Sequence, residues 1–318
     1  MIVALAPMEG LTTVYYRQAL ARWFGGVDLY FTPFLTPTQD HRFTKRELRE
    51  ILPEQNEGLP TVPQLLTRKA EDFLWAAGEL AAMGYQEVNL NLGCPSGTVV
   101  AKGKGSGFLA FPEELDRFLD EIFTKAPCAI SIKTRIGLKD PAEFPALLAI
   151  YRKYPVKELI VHPRVQKDLY KNTPRLACFG DALEGSPFPV CYNGDLYTPD
   201  AAAALQARFP STDRLMLGRG LAGDPALARR LKGGPPAGKE ALAGFVDQVY
   251  ESYAAAFGSR RNAMLRMKEV WFYLIRLFVG GDKLSKVIKK ARDPLDYESA
   301  VRAVFHDLDL SPILQPDW

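Results

Sequence analysis

The sequence predicts an α/β protein, a TIM (β/α)8 barrel followed by a small all-helical C-terminal domain. Eight short apolar runs rich in β-forming residues recur between Ile2 and Gly218, and segments with helical periodicity lie between most of them. Strands that alternate with helices build a parallel sheet, and eight similar units favour a closed barrel over an open doubly wound sheet. After Leu231 a stretch rich in glycine and proline ends this alternation, and only helical patterns follow.

We therefore expect a barrel domain over residues 1–232, a linker at 233–238 and a helical domain over 239–318. The predicted strands are Ile2–Ala6, Leu29–Pro33, Val62–Leu66, Val88–Asn91, Ala129–Thr134, Leu159–Pro163, Val190–Asn193 and Leu215–Gly218. The predicted barrel helices are Ala70–Met83, Pro112–Phe123, Ala142–Tyr151, Pro199–Ala207 and Asp224–Leu231. The predicted C-terminal helices are Leu242–Phe257, Ala263–Phe278, Lys283–Ala291 and Pro294–Phe305.

The composition is that of a globular protein with a sizeable core, since 47% of the 318 residues are hydrophobic and 24% are charged. Four scattered cysteines without a CxxC pair, and three histidines, argue against a disulfide framework and against a metal site. No apolar run approaches membrane-spanning length, and the N-terminal MIVALAPMEG is typical of a strand rather than a signal peptide. We expect a cytoplasmic protein with no membrane partner. The sequence is silent on oligomeric state, and we expect a monomer.

Charge is distributed unevenly along the chain. The formal net charge is only +3, but the segment from Arg260 to Arg292 has ten basic and two acidic residues, a net +8 that leaves −5 elsewhere. A basic helix face is often only solvated, yet this density favours binding of a polyanion. The basic residues that we expect to bind it are Arg260, Arg261, Arg266, Lys268, Lys286 and Lys290.

One cysteine stands out by its position. Cys94 follows a predicted strand directly, between Gly93 and Pro95, where packing gives no reason for a thiol. Cys128 and Cys191 lie inside predicted strands and are expected to be small buried apolar residues. Two roles remain open for Cys94: a nucleophile activated by a base such as His162, or a proton donor, since an unperturbed thiol has a pKa of about 8.5 and is mostly protonated near neutrality.

The last two predicted strands end in Asn193-Gly194-Asp195 and Gly218-Arg219-Gly220. Barrels commonly bind a phosphate at this place, although two turns that use glycine for positive φ would look the same. Lys133 and His162 end neighbouring strands, where either would be costly to bury alone, so they are candidates to contact the same cofactor.

Two further glycine-rich stretches need an interpretation. Residues 218–223 fit GxGxxG, but no second strand with an acidic residue follows, which argues against a Rossmann unit. The stretch from Lys102 to Gly107 is basic and predicted to be flexible, and three roles stay open: a lid, contact with phosphates through Lys102 and Lys104, or a solvated loop.

Six motifs in order and spacing closely resemble the tRNA-dihydrouridine synthases, over the whole predicted barrel. These motifs are Ala6-Pro7-Met8-Glu9-Gly10, Asn91-Leu92-Gly93-Cys94-Pro95, Lys133-Thr134-Arg135, His162-Pro163-Arg164, Asn193-Gly194-Asp195 and Gly218-Arg219-Gly220. One departure is that the paired-glycine turn common in the family reads Gly105-Ser106-Gly107 here. Because serine is small we expect little effect, although the loop geometry is put in doubt.

The resemblance implies an enzyme that binds FMN, takes hydride from NADPH and reduces the C5–C6 bond of a uridine in tRNA. Hydride addition at C6 of uracil leaves charge at C5 that needs a proton, which favours the general-acid role for Cys94. By position, the resemblance assigns the flavin ring to Pro7, Met8 and Gln64, and its polar edge or ribityl chain to Lys133 and His162. It assigns the phosphate to Asn193, Gly194, Gly218 and Arg219, and Asp195 is a further predicted cofactor-binding residue. The uracil is assigned to Asn91 and Arg135.

Two alternatives stay open. A flavin barrel that reduces a small molecule, such as a pyrimidine or an enone, would share the barrel motifs but gives the basic segment no function. A barrel that binds RNA without catalysis would keep the basic segment and lose the role of Cys94.

Overall fold

The computed structural model describes residues 1–314 and 316, and these residues contain nine strands in one parallel sheet. The strands are β1 (Ile2–Leu5), β2 (Leu29–Phe31), β3 (Thr61–Val62), β4 (Gln64–Leu65), β5 (Glu87–Leu92), β6 (Ala129–Arg135), β7 (Leu159–His162), β8 (Val190–Tyr192) and β9 (Arg214–Leu217). Their spatial order is β3-β2-β1-β9-β8-β7-β6-β5-β4.

The sheet closes into a barrel at Pro63. Strands β3 and β4 stand at the two ends of the spatial order but are separated in the chain only by this residue, whose ring nitrogen has no hydrogen to donate to a ladder. Leu35 bridges the gap, because its N–H donates to Gln64 at 2.8 Å and its carbonyl accepts from Leu66 at 2.8 Å. The two short strands therefore form the one strand predicted at Val62–Leu66, and the eight-unit barrel is confirmed.

Helices follow most of the strands and fill the C-terminal region. They are α1 (Val14–Trp23), α2 (Lys45–Ile51), α3 (Ala70–Ala82), α4 (Gly97–Val100), α5 (Pro112–Lys125), α6 (Phe144–Tyr151), α7 (Leu176–Gly185), α8 (Pro199–Arg208), α9 (Arg219–Gly223), α10 (Leu227–Leu231), α11 (Lys239–Phe257), α12 (Arg260–Leu274), α13 (Asp282–Lys290) and α14 (Pro294–Asp307). Short 3₁₀ helices lie at Pro53–Gln55, Gly105–Ala110, Pro141–Glu143, Gln166–Asp168 and Ile275–Leu277.

Every predicted helix is present, and two begin later than predicted. Helix α6 begins at Phe144 rather than at Ala142, because Pro141–Glu143 forms a 3₁₀ helix. Helix α10 begins at Leu227 rather than at Asp224, because the Asp224 carboxylate accepts the N–H of Ala226 at 3.0 Å and holds a turn there. Helices α1, α2, α4, α7 and α9 were not predicted.

Alternate residues of the strands fill the barrel interior with apolar side chains. The buried cluster contains Ala4, Ala6, Phe31, Val62, Ile160, Cys191 and Met216. Cys191 is a buried apolar residue, as predicted. The expectation that Cys128 is a buried strand residue is wrong: it is half-buried and lies directly before β6, which begins at Ala129 as the predicted strand does.

The chain divides into two compact units that do not follow chain order. The first unit contains Met1–Pro7, Leu29–Gly194 and Leu205–Met216, and the second contains Met8–Asp28, Asp195–Ala204 and Leu217–Trp318. The predicted boundary at residues 233–238 stays a prediction, and Gln315, Asp317 and Trp318 of the predicted helical domain lie outside the described residues.

Within the second unit, helix α1 packs against helix α11. The rings of Tyr16 and Phe245 meet edge to face with centroids 5.2 Å apart, and the indole N–H of Trp23 donates to Gln248 at 2.9 Å. Both contacts join residues far apart in the sequence, so the N-terminal helix is part of the helical core of this unit. In the part of the chain that is described, none of the helices is both long enough and apolar enough for a membrane span.

Candidate active site

In the first unit, the turn that carries Cys94 is held by the side chain of Asn91. The Asn91 carbonyl oxygen accepts the N–H groups of Gly93 at 3.0 Å and of Cys94 at 2.9 Å. An asparagine that binds the backbone two and three residues ahead fixes a tight turn. The half-buried thiol residue therefore follows β5 in a defined position.

The segment after this turn packs against Cys94. Residues Gly105–Ala110 form a 3₁₀ helix that is buried up to Leu109, and the Ser106 hydroxyl donates to the Cys94 carbonyl at 2.8 Å. The Ser106 N–H donates to the same carbonyl at 3.1 Å. The expected flexibility and the alternative of a solvated loop are therefore wrong for Gly105–Gly107, because these residues are buried and packed against the cysteine.

The backbone conformation of residue 105 and its close approach to Cys94 require a glycine. The φ of Gly105 is +56°, and an added Cβ would lie 2.9 Å from the Cys94 carbonyl oxygen.

Of the two lysines predicted to contact phosphates, Lys102 is exposed, whereas Lys104 is half-buried and desolvation lowers its pKa. Their contacts with a ligand stay a prediction.

Buried amides link three neighbouring strands below the Cys94 turn. The Asn91 amide donates to Gln64 at 2.7 Å, Gln64 donates to Asn89 at 2.8 Å, and Asn89 donates to Ser131 at 2.9 Å. Gln64 is fully buried, and both atoms of its amide have partners in this chain of hydrogen bonds. Satisfied buried networks of this kind are rigid, so Asn91 is itself held in place. The predicted contacts of Gln64 with a flavin and of Asn91 with uracil stay predictions.

Arg135 connects the Cys94 turn to the loop that follows β7. Its guanidinium donates to the carbonyls of Gly93 at 3.0 Å, Val165 at 2.9 Å and Leu169 at 2.8 Å, and the residue is 1% exposed. Burial lowers the pKa of Arg135, but a guanidinium keeps its charge in proteins. The structure thus gives Arg135 three backbone partners, and its predicted contact with uracil stays a prediction.

The loop after β7 presents Tyr170, which the sequence analysis did not single out. The Tyr170 ring is 48% exposed, lies 5.2 Å from the Arg135 guanidinium carbon, and has its centroid 6.0 Å from that of His162. Leu169, before it, has a φ of +52°, a strained value for a branched side chain. A tyrosine in a loop carries no sequence signal of its own, and only the fold brings it beside His162.

His162 ends β7 and is buried. Its Nε2 lies 3.1 Å from an Nη of Arg164. An arginine only donates hydrogen bonds, so this contact requires an unprotonated Nε2. The predicted contact of His162 with the polar edge or ribityl chain of a flavin stays a prediction.

Lys133 differs from its neighbours because its ammonium has no partner. It lies in β6, in register with Asn91 on β5 and Ile160 on β7, and forms no ion pair or hydrogen bond with any residue that the structure describes. Desolvation lowers the pKa of Lys133 to about 8, and the Arg135 charge adds to this effect. A half-buried cation of this kind is costly unless an electron-rich group completes its surroundings. The position therefore fits the predicted contact with the polar edge of a flavin.

Asn193, at the end of β8, also belongs to the first unit. Its side-chain amide donates to the Met216 carbonyl in β9 at 2.8 Å, and its N–H donates to Val161 in β7 at 2.9 Å. It thus ties three strand ends together. Phosphate contacts of Asn193 and Gly194 stay predictions, as does the flavin contact of the half-buried Pro7.

In the second unit, the predicted cofactor-binding residue Asp195 forms an ion pair with the predicted phosphate residue Arg219 at 2.5 Å. The Arg219 guanidinium also lies over the ring of Tyr197, 5.7 Å from its centroid. Gly218 precedes α9 with a φ of −110°, so the alternative that it serves a turn with positive φ does not hold. The phosphate contacts of Gly218 and Arg219 and the cofactor contact of Asp195 stay predictions.

Met8 begins a tight turn in the second unit. Its N–H donates to the Thr12 hydroxyl at 2.8 Å, and its carbonyl accepts the N–H groups of Leu11 and Thr12 at 3.1 Å. Both backbone groups of Met8 therefore have partners within the segment. The predicted contact of Met8 with a flavin stays a prediction.

The basic residues of the C-terminal helices divide into engaged and solvent-facing side chains. Arg260 pairs with Glu251 at 2.9 Å and with Glu298 at 3.0 Å, and Lys268 donates to the Ala291 carbonyl at 2.6 Å. Arg261, Lys286 and Lys290 are exposed, and Arg266 is half-buried. The exposed three are therefore the residues best placed to meet a polyanion.

Fold and site together define a β/α-barrel enzyme with a thiol and an unpaired cation at the strand ends. Within residues 1–314 and 316, no group of histidine, cysteine, aspartate and glutamate side chains is arranged to hold a metal ion. Residues 4–273 match the family model described as dihydrouridine synthase. The chain belongs to this family, which confirms the predicted family and the prediction of a flavin-dependent oxidoreductase.

Known proteins are similar to the chain in sequence and in fold. A probable tRNA-dihydrouridine synthase from Rhodobacter capsulatus is 26% identical over 316 residues, which cover 96% of this chain and 95% of the relative. A tRNA-dihydrouridine(16) synthase from Ralstonia nicotianae is 30% identical over 239 residues, 72% of each chain. A solved structure of morphinone reductase has a similar barrel, with a TM-score of 0.53 and 14% identity, and the match covers 77% of this chain and 88% of that one.

Proposed function

We propose that the protein is a tRNA-dihydrouridine synthase, which reduces the C5–C6 double bond of a uridine in tRNA with bound FMN and with NADPH as reductant. Family membership and the match along nearly the full length of the Rhodobacter capsulatus relative support this proposal. The name of the Ralstonia nicotianae relative specifies uridine 16, and we propose the same position for this chain.

Lys133 supports the choice of a flavin as cofactor. Its ammonium has no partner among the described residues, and desolvation lowers its pKa. In our proposal it donates to the electron-rich edge of the isoalloxazine ring, with His162 beside it. FMN, when bound there and reduced by NADPH, supplies hydride to C6 of the uracil. In the same proposal Asn193, Gly194, Gly218 and Arg219 hold the phosphate, and Asp195 orients the Arg219 guanidinium through their ion pair.

The observation that carries the proposal is the fixed position of Cys94. Asn91 binds its N–H, Ser106 binds its carbonyl, and Arg135 binds the carbonyl of the preceding Gly93. A thiol held in this way can point at one carbon of a bound ring. We propose that Cys94 gives its proton to C5 of uracil and that Asn91 and Arg135 shape the pocket around this base.

The exposed basic residues Arg261, Lys286 and Lys290 are proposed to hold the tRNA. Phosphate contacts of this kind orient an RNA without reading its sequence. The uridine must leave its stack to reach a pocket in the barrel, which costs least for a base in a loop. Binding by phosphate contacts should weaken steeply as the salt concentration rises.

The decisive experiment compares Cys94→Ala with Cys128→Ala, since both thiols are half-buried and only Cys94 ends a barrel strand. Dihydrouridine formation is measured by mass spectrometry of unmodified tRNA after incubation with saturating NADPH. We expect Cys94→Ala to lose about 100-fold or more in rate, as loss of a general acid does, and Cys128→Ala to keep the wild-type rate. Undiminished turnover in Cys94→Ala would exclude the assigned role.

Two further observations test the cofactor and the target. Purified protein should be yellow and should oxidise NADPH; a colourless protein that takes up no added FMN would support the non-catalytic alternative. Mapping dihydrouridine in total tRNA from a deletion strain should show its loss at position 16. Loss at a different position would keep the enzyme class and correct the target.

A further inference from the structure

The second unit contains a cavity to which the proposed reaction assigns no ligand, although one lining residue, Met8, has a predicted flavin contact. It has a volume of about 450 Å³ and lies between the segment before α1 and the helices α12 and α13. Residues that line it include Met8, Leu11, Phe272, Tyr273, Ile288 and Lys289. The cavity is large enough to bind a small organic group, and its walls are mostly apolar.

The aromatic wall of the cavity is open to solvent. Phe272 is 51% exposed, and its ring meets that of the half-buried Tyr273 edge to face, with centroids 4.9 Å apart. The preceding Trp271 is buried and donates its indole N–H to Tyr297 at 3.0 Å, so it belongs to the core. A large aromatic ring exposed beside a mostly apolar cavity offers a flat face on which another ring can stack.

The other wall is fixed and carries both signs of charge. Lys268 donates to the Ala291 carbonyl at 2.6 Å, which ties α12 to the end of α13. On α13, the buried Ile288 and the exposed Lys289 line the cavity, and the carboxylates of Glu9 and Glu269 line it as well. The cavity therefore combines an apolar, aromatic interior with an exposed ammonium and with carboxylates that can accept hydrogen bonds from the N–H groups of a base.

We propose that this cavity binds an unpaired nucleotide of the tRNA substrate, other than the uridine that is reduced. The base stacks on Phe272, and Lys289 contacts the adjoining phosphate. A base with its phosphate matches an aromatic face beside a cation, which is how proteins commonly hold single-stranded RNA. An apolar protein segment would match the aromatic wall but would offer no anionic group to the exposed Lys289 and no N–H donors to the carboxylates of Glu9 and Glu269. This inference rests on the proposed function, because it takes the partner to be tRNA.

The test compares variants of the full-length protein for binding to an unmodified tRNA transcript. We expect Phe272→Ala to raise Kd about tenfold because one stacked base is lost, and Phe272→Tyr to bind as wild type. Leu295→Ala is the matched control, since Leu295 is 73% exposed on α14 and lies outside the cavity. Lys289→Gln should reduce the slope of log Kd against log salt by about one phosphate contact, whereas Phe272→Ala should leave the slope unchanged.

A cross-linking experiment locates the bound nucleotide. Phe272 is replaced by photoreactive p-azidophenylalanine, and the cross-linked position in the tRNA is mapped by mass spectrometry. We expect one unpaired nucleotide that differs from the reduced uridine. Cross-links confined to base-paired stems, or a Phe272→Ala variant that binds like Leu295→Ala, would overturn the proposal.

Failure of this inference is distinguishable from failure of the proposed function. A wild-type protein that forms dihydrouridine, while Phe272→Ala binds tRNA normally, would overturn only the nucleotide cavity. A wild-type protein that binds tRNA through Phe272 but forms no dihydrouridine would overturn only the enzymatic proposal. Absence of tRNA binding by the wild type would overturn both.

Discussion

The side-chain hydroxyl of Ser106 donates a 2.8 Å hydrogen bond to the carbonyl oxygen of Cys94. The Cys94 N–H is bound at the same time by Asn91, which belongs to the preceding strand. Both backbone polar groups of the cysteine are thus held by side chains from different segments. Positioning of a reacting group to within a fraction of an ångström has large effects on rate, so these two contacts matter for the proposed proton transfer.

Loss of the Ser106 hydroxyl should therefore slow the reaction more than it destabilises the fold. In Ser106→Ala the Cys94 carbonyl keeps the N–H of residue 106, so we expect a stability loss of only about 1 kcal/mol. The looser thiol should lower the rate of dihydrouridine formation about three- to tenfold. Thermal unfolding and single-turnover kinetics measure the two quantities. A rate equal to that of the wild type would show that Asn91 alone suffices.

Gly105→Ala should disturb the same turn from the other side. The residue has a φ of +56°, and the new Cβ would lie 2.9 Å from the Cys94 carbonyl oxygen. Gly84→Ala is the matched control, since Gly84 has a φ of +98° and an added Cβ there meets nothing within 4 Å. We expect both variants to lose about 1 kcal/mol of stability from backbone strain, and only Gly105→Ala to lose activity, by about tenfold or more. Equal activities would contradict the packing argument.

Arg135→Lys should not behave as a conservative change. A lysine ammonium cannot reach the three carbonyls of Gly93, Val165 and Leu169 that the planar guanidinium binds. Because these carbonyls are left without their donors, we expect a loss of roughly 2–4 kcal/mol in the free energy of unfolding, measured in urea. Arg208→Lys is the control, since Arg208 is exposed at the end of α8. A loss below about 1 kcal/mol would show that Arg135 is held loosely and is available to a substrate.

The strands were predictable because each is a short run of β-forming residues, whereas α1 was not. Its buried face includes Arg17, which is fully buried and donates to the Thr12 carbonyl at 3.0 Å, so the apolar pattern of an amphipathic helix is broken. Helix α7 carries Gly180 in its interior, which weakens the helical signal. Both helices are stabilised by packing that only the folded chain provides.

The candidate site shows the same division between local and long-range information. Cys94, Lys133 and His162 were predictable because each lies at or near the carboxyl end of a strand, and parallel strands bring these ends together. Ser106 and Tyr170 were not, because their contacts with Cys94 and His162 join loops whose packing no local pattern encodes. The sequence presents Ser106 only as a small residue in place of glycine, whereas the structure shows that its hydroxyl has a defined partner.

The pKa of Lys133 should make FMN binding depend on pH. Desolvation lowers this pKa from 10.5 to about 8, so in the folded protein the ammonium loses its proton as the pH rises through 8. Between pH 8 and 10.5 the unfolded chain holds more protons than the folded one, so this group raises the unfolding free energy with increasing pH there. If FMN requires the ammonium, its Kd should increase above pH 8 by up to about tenfold per pH unit.

The matching experiment titrates the apoprotein with FMN and follows flavin fluorescence between pH 6.5 and about 9.5, a window that brackets the Lys133 pKa. We expect Lys133→Gln to bind more weakly at pH 7 and to lose the rise above pH 8. Lys139→Gln, at an exposed lysine, should retain the wild-type profile. Parallel profiles for the wild type and Lys133→Gln would show that the flavin does not contact this ammonium.

Replacement of two helical glycines by alanine should change the stability of the protein in opposite directions. Gly244 lies in α11, and an added Cβ would collide with the ring of Trp23 in α1, a partner too large to move without cost. We expect Gly244→Ala to lose about 1–3 kcal/mol of stability, as overpacked cores do. Gly78 lies in α3, and a Cβ there meets nothing within 4 Å, so Gly78→Ala should gain about 0.5–1 kcal/mol from helix propensity and reduced chain entropy. Thermal unfolding of the two single variants measures both signs. A neutral Gly244→Ala would mean that α1 and α11 can move apart without loss of the Trp23 contact.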